Sequence, residues 1–151
     1  MDRIERQTIY RLQPAIASSL RGLGEAAVAA GLDKTLLELV KLRASQINGC
    51  AFCLNMHSVE ARKLGERQER LDLVAAWREA PCFSERERAA LAWTEALTLV
   101  AHDRVPDEVY AMAKAPFTDE ELVNLTAAVV AINGWNRVAV AFRFMPPVET
   151  P

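Results

Sequence analysis

The spacing of the apolar residues limits the fold more than any other feature. They recur every three to four positions along almost the whole chain, and no convincing run alternates with period two. This pattern excludes a sheet and predicts an all-α bundle of about six or seven helices. A first helical stretch runs from roughly Pro14 to Ala30 and stops at Gly31. Asp33 caps a second helix, which carries Leu36, Leu37, Leu39, Val40, Leu42 and Ile47 and ends at Asn48-Gly49. A third helix is expected to begin there and to run to about Lys63, with Gly65 as its stop. A helix around Leu71 to Glu79 precedes a break at Pro81, and Pro106 suits the first turn of a shorter helix through Tyr110 and Met112. Ser84-Glu85-Arg86-Glu87 and Thr118-Asp119-Glu120-Glu121 are capping boxes. The second opens a long apolar helix, or a helix pair divided at Gly134, and Pro146-Pro147 close the ordered chain.

At 151 residues the chain is long enough to bury a core without disulfide staples, so one domain is expected across 1–151. A formal net charge of −2 argues against general nucleic-acid affinity. The first residues, Met1 to Gln7, mix charges and do not form a secretory signal, and no apolar run reaches membrane-spanning length. A cytoplasmic protein is therefore expected. Apolar faces beyond the needs of one core, with Trp77, Trp93 and Trp135 among the core or subunit contacts, point to a homo-oligomer.

Two stretches of the chain resemble each other. Glu38-Leu39-Val40-Lys41-Leu42 leads to Ile47-Asn48-Gly49-Cys50, and Glu121-Leu122-Val123-Asn124-Leu125 leads, two residues later, to Ile132-Asn133-Gly134-Trp135. As a true repeat, this would make two related helical hairpins, with Trp135, Val138 and Phe142 standing where Cys50, Cys53 and His57 stand in the first. Only the first could perform thiol chemistry.

Three cysteines cannot all pair within one chain, and Cys50-Ala51-Phe52-Cys53 in a reducing compartment points to redox chemistry or metal binding. At 100° per residue, Cys50, Cys53 and His57 share a sector of about 60°. Cys50 lies at a helix start, where unpaired N–H groups favour a thiolate. His57 lies one turn beyond Cys53, at the spacing for proton exchange with that sulfur. Helix position thus favours Cys50 as nucleophile and imidazole spacing favours Cys53. Glu38 folds back to similar depth and could orient the imidazole, although spacing alone favours solvated ion pairs with Lys34 and Lys41. A zinc site from the two thiols, His57 and Glu38 is the rival, but no second CxxC or His pair supports it, so no metal or cofactor is expected. Cys82 and His102 read as a packed small residue and a helix-end group, and Gly22-Leu23-Gly24 lacks the strand a dinucleotide site needs.

Glu38, Cys50-Ala51-Phe52-Cys53 and His57, with Ile47-Asn48-Gly49 before and Leu54-Asn55-Met56 after, resemble the core motif of the AhpD-like alkylhydroperoxidase family, in the carboxymuconolactone decarboxylase superfamily. The likeness is best over about 33–65. It implies a thiol-dependent peroxidase in which Cys53 attacks a hydroperoxide, Cys50 resolves, and Glu38 with His57 relays protons. It also implies a lipoamide-linked or thioredoxin-like reductant and a trimer or an assembly built from trimers. Founding members carry a further relay histidine just before the second cysteine, where this chain has Phe52. Two other functions use the same residues differently: a disulfide oxidoreductase or redox sensor, and a decarboxylase-like small-molecule enzyme with incidental cysteines.

Overall fold

The computed structural model describes residues 2–149, and among these every regular element is a helix. In chain order they are α1 (Arg6–Leu12), α2 (Pro14–Ala29), α3 (Lys34–Ile47), α4 (Ala51–Lys63), α5 (Gln68–Leu73), a 3-10 turn at Val74–Ala76, α6 (Glu85–Thr98), α7 (Val100–Asp103), α8 (Asp107–Lys114) and α9 (Asp119–Ala141). The short α1 and α7 lie outside the expected six or seven. Both are too brief to show a full apolar period, which is why spacing overlooked them. The helix expected around Leu71 to Glu79 begins earlier and tightens to 3-10 geometry after Leu73.

Helix α3 is the hub, packed against α4, α6 and α9. Its sequence divides it into three sectors at 100° per residue. Leu36, Leu37 and Val40 enter one apolar cluster, with Trp93 of α6 and Leu125 and Val129 of α9. Leu39 and Leu42 enter a second, with Leu71, Val74, Trp77 and Phe83. Each such fully buried side chain contributes about 1.5–3 kcal/mol relative to exposure. The remaining sector, about 60° wide, presents Glu38, Lys41 and Ser45. A helix clamped on two faces by hydrocarbon thus holds its polar stripe in a fixed direction.

The caps follow the sequence. Asp33 accepts the Leu36 N–H at 2.9 Å, and Ser84 and Thr118 each complete a capping box. The turn between α3 and α4 is a Schellman closure: the Cys50 N–H donates to Ser45 O at 3.0 Å and the Gly49 N–H to Gln46 O at 3.3 Å. It requires the left-handed φ of 64° that Gly49 adopts without penalty. Helix α4 consequently starts at Ala51, later than expected, with Cys50 as its N-cap in extended conformation.

The second Ile-Asn-Gly does not divide a hairpin. α9 runs unbroken through Gly134, so the expected repeat is one of sequence and not of local structure. The residue after each glycine is one difference between the two outcomes. Cys50 has a side chain able to accept a helix N–H; Trp135 does not. No helix among the described residues is long and apolar enough to cross a membrane.

Candidate active site

The turn and the polar stripe of α3 converge on the two cysteines. Cys50 and Cys53 are joined as a disulfide with Cα atoms 5.3 Å apart, and each is only 2% exposed. Cys50 Sγ also accepts the Cys53 N–H at 3.3 Å, placing that sulfur at the positive end of α4. The third cysteine, Cys82, is unpaired and half-buried, with its neighbours in the second core cluster.

His57 and Glu38 are both buried. His57 Nδ1 donates to Glu38 Oε2 at 2.7 Å, since an ionised carboxylate can only accept. With Nδ1 so engaged, Nε2 is the ring nitrogen left for proton exchange. Lys41 Nζ donates to the other carboxylate oxygen, Oε1, at 2.6 Å. The two partners weighed for Glu38 from sequence are therefore not alternatives: one oxygen serves each. Burial drives the Glu38 carboxyl upward, but the bond and charge of His57, with those of Lys41, outweigh it and hold the group below its ordinary range.

A cavity of about 690 Å³ opens against this cluster. Cys53, His57 and Lys41 line it, whereas Cys50 does not. Helix α9 supplies an apolar wall that includes Ile132 and Trp135, α2 adds Leu20 and Val28, and α1 closes one side with Arg6 and Tyr10. The Tyr10 ring meets Trp135 edge-on, centroids 6.2 Å apart, and Phe52 meets Phe144 at 5.7 Å with the Arg6 guanidinium 5.2 Å above Phe52. Phe52 is thus a wall of the cavity and its side chain carries no exchangeable proton. Among the described residues, no group of three or more His, Cys, Asp and Glu side chains is placed to hold a metal ion.

All four residues singled out from sequence thus lie in one cluster. Lys41 was read only as a solvated partner, and its i+3 spacing from Glu38 was the available signal. Arg6, Tyr10 and Trp135 carried no signal, because helix-to-helix packing alone brings them to the cavity.

The model of the carboxymuconolactone decarboxylase family matches residues 14–96, and the chain belongs to that family as an AhpD-like member. An uncharacterized protein of Bacillus subtilis (strain 168), YdfG, is 36% identical over 137 residues, which is 91% of this chain and 93% of that protein. A crystal structure of a protein of unknown function from Agrobacterium tumefaciens, described as a candidate antioxidant defence protein AhpD, is 41% identical and superposes with a TM-score of 0.90 over 99% of this chain and all of that one. The debrominase Bmp8 without ligand shares the fold at 19% identity, with a TM-score of 0.77 over 88% of this chain and 72% of its own.

Proposed function

We propose that the protein is a thiol peroxidase that reduces organic hydroperoxides through Cys53, with Cys50 as the resolving thiol and His57–Glu38 as the proton relay. One observation carries this reading: of the two sulfurs, that of Cys53 belongs to the residue lining the cavity beside His57, while Cys50 sits behind it as the cap of α4. The family membership and the formed Cys50–Cys53 bridge support it.

In the reduced protein His57 takes the Cys53 thiol proton. The thiolate attacks the terminal peroxide oxygen, an S–O bond forms as the O–O bond breaks, and the departing alkoxide receives a proton from the imidazolium. The Cys50 sulfur then attacks the sulfenic acid. The S–S bond forms, the S–O bond breaks, and the hydroxyl leaves as water with the Cys50 proton. A dithiol donor, lipoamide-linked or thioredoxin-like, returns two electrons and restores both thiols. Such a cycle suits a reducing compartment such as the cytosol. Exposed Val123, Val130 and Val140 on α9 support a homo-oligomer, of trimeric or higher order, as the working unit, and light scattering in dilute solution measures it.

The test is dimedone labelling with mass spectrometry after one equivalent of hydroperoxide. Cys53→Ser should abolish both sulfenic acid and turnover, whereas Cys50→Ser should stop turnover and leave a trappable sulfenic acid on Cys53. A label found only on Cys50 reverses the roles. Absence of any label, with no peroxide consumed and disulfide exchange intact, replaces the peroxidase reading with a disulfide-exchange one.

A further inference from the structure

The proposed chemistry uses Glu38 through the oxygen that meets His57 and gives no role to Lys41, which holds the other oxygen. Lys41 lies one turn after Glu38 on α3, and its side chain is 24% exposed against 9% for Glu38. Its ammonium therefore borders the cavity while its bond reaches inward to Oε1. With Oε1 held by Lys41 and Oε2 by His57, the carboxylate cannot rotate without breaking one charge-assisted bond.

We infer that Lys41 is a positioning residue of the relay: its ammonium locks Glu38 so that Oε2 meets His57, and its charge makes the Glu38–His57 pair release its proton more readily. This inference rests on the thiol-and-relay reading of the site. The physical reason is Coulombic. A buried carboxylate 2.7 Å from an imidazole holds a proton on that pair, and a base that keeps its proton cannot accept one from Cys53. A cation on the carboxylate's other oxygen opposes that retention. Lys41 adds its charge and a hydrogen bond to those of His57 in holding the Glu38 carboxyl below its ordinary range.

The other charges around the cluster do not duplicate Lys41. On the cavity side, α1 brings Arg6 and Tyr10, and α2 brings Arg21 and Glu25, none of which bonds to Glu38 or His57. On α4, Glu60 pairs with Lys63. Glu95 of α6 is held by Arg43 of α3 and by Arg78. Helix α9 contributes Arg137, which is bonded to Asn133 and does not line the cavity.

The experiment is the pH profile of Cys53 alkylation by iodoacetamide in the fully reduced protein, resolved by mass spectrometry, with peroxide turnover followed in parallel. Lys41→Met and Lys41→Gln should each move the acid limb of the profile upward by about one pH unit, so that alkylation on that limb slows roughly tenfold. Lys41→Arg should keep the native limb. Lys41→Gln retains a hydrogen bond to Oε1 without charge, so a packing defect in Lys41→Met does not decide the outcome. A role in packing alone would lower the rate at every pH without displacing the limb. An unmoved limb in both neutral variants, or one moved as far in Lys41→Arg, overturns the inference. A native protein that alkylates normally but consumes no peroxide defeats the peroxidase reading, while the displaced limb still upholds the part played by Lys41.

Discussion

The chain contains Ile-Asn-Gly twice and uses it in two ways. After Ile47 the glycine turns the backbone into the left-handed region, the helix stops, and Cys50 caps the next one. After Ile132 the helix continues, and the glycine instead lets α2 approach closely: a Cβ on Gly134 would stand 2.5 Å from Leu20 Cδ2. The two asparagines face one another across the gap. Asn48 Nδ2 donates to Asn133 Oδ1 at 3.0 Å and to Asn136 Oδ1 at 2.9 Å, while Asn136 Nδ2 donates to Ser45 Oγ at 3.0 Å. One copy therefore makes the reactive turn, and the other is the straight rod that holds it. A short motif specifies a capacity for turning; the residue after it and the helix packed upon it decide whether that capacity is used.

The largest expected effect comes from cutting the bonds by which Asn136, just after the second copy, holds the end of α3. Asn136 is fully buried and joins α9 to Ser45 and Asn48 at the end of α3. Asn136→Leu removes a donor and an acceptor at once and leaves Ser45 without that donor, so it should cost about 3 kcal/mol in urea unfolding. A loss below about 1 kcal/mol would mean that the Asn136 bonds do not fasten α9 to the end of α3.

The same contrast shows what the sequence could reveal. Helix content and the capping residues Asp33, Ser84 and Thr118 were legible because each depends on contacts within a turn or two of the backbone, whereas Cys50, read onto the helix with Cys53 and His57, stands just before α4 as its N-cap. Glu38 was legible only as an ambiguity, since its bond to His57 crosses from α3 to α4. The straightness of α9 was not legible, because Leu20 of α2, far away in sequence, occupies the space beside Gly134. Nor was the cavity, whose walls come from α1, α2 and α9 together.

A second effect, smaller and dependent on pH, sharpens the claim that the first copy carries the charge chemistry. Glu38→Gln leaves one accepting oxygen where two carboxylate oxygens each took a bond, so one donor loses its acceptor, and stability should fall by about 2 kcal/mol at neutral pH. The folded carboxyl lies below its ordinary value of 4.5, so the ionised group stabilises the folded state fully above that value. That contribution is lost as the pH falls through the depressed folded value. The native protein and the variant should therefore differ most in urea midpoint near neutrality and converge under acid conditions; a difference that grew toward low pH would contradict the ionised assignment.

The two glycines themselves give the next pair of tests. Gly49→Ala meets no atom within 4 Å, so its whole cost is backbone strain at φ 64°, about 1 kcal/mol. Calorimetry should show a lowered melting temperature without loss of Cys50–Cys53 disulfide formation. If the variant is as stable as the native protein, the turn does not depend on the left-handed residue.

Gly134→Ala is the subtler case, because two effects of similar size oppose each other. Within the body of α9, alanine is favoured over glycine by about 1 kcal/mol through helix propensity. Against this, the new methyl meets the end of Leu20, and forcing an atom into packed space costs about 1–3 kcal/mol unless the flexible side chain moves aside. The single substitution should consequently fall within about 1 kcal/mol of the native stability. The decisive comparison is made in a Leu20→Ala background, where the collision is gone and Gly134→Ala should stabilise by about 1 kcal/mol. A double-mutant cycle in urea measures the difference between the two backgrounds. Coupling near zero would show that Gly134 is not kept for the approach of α2, and the two copies of Ile-Asn-Gly would then differ only in the residue that follows them.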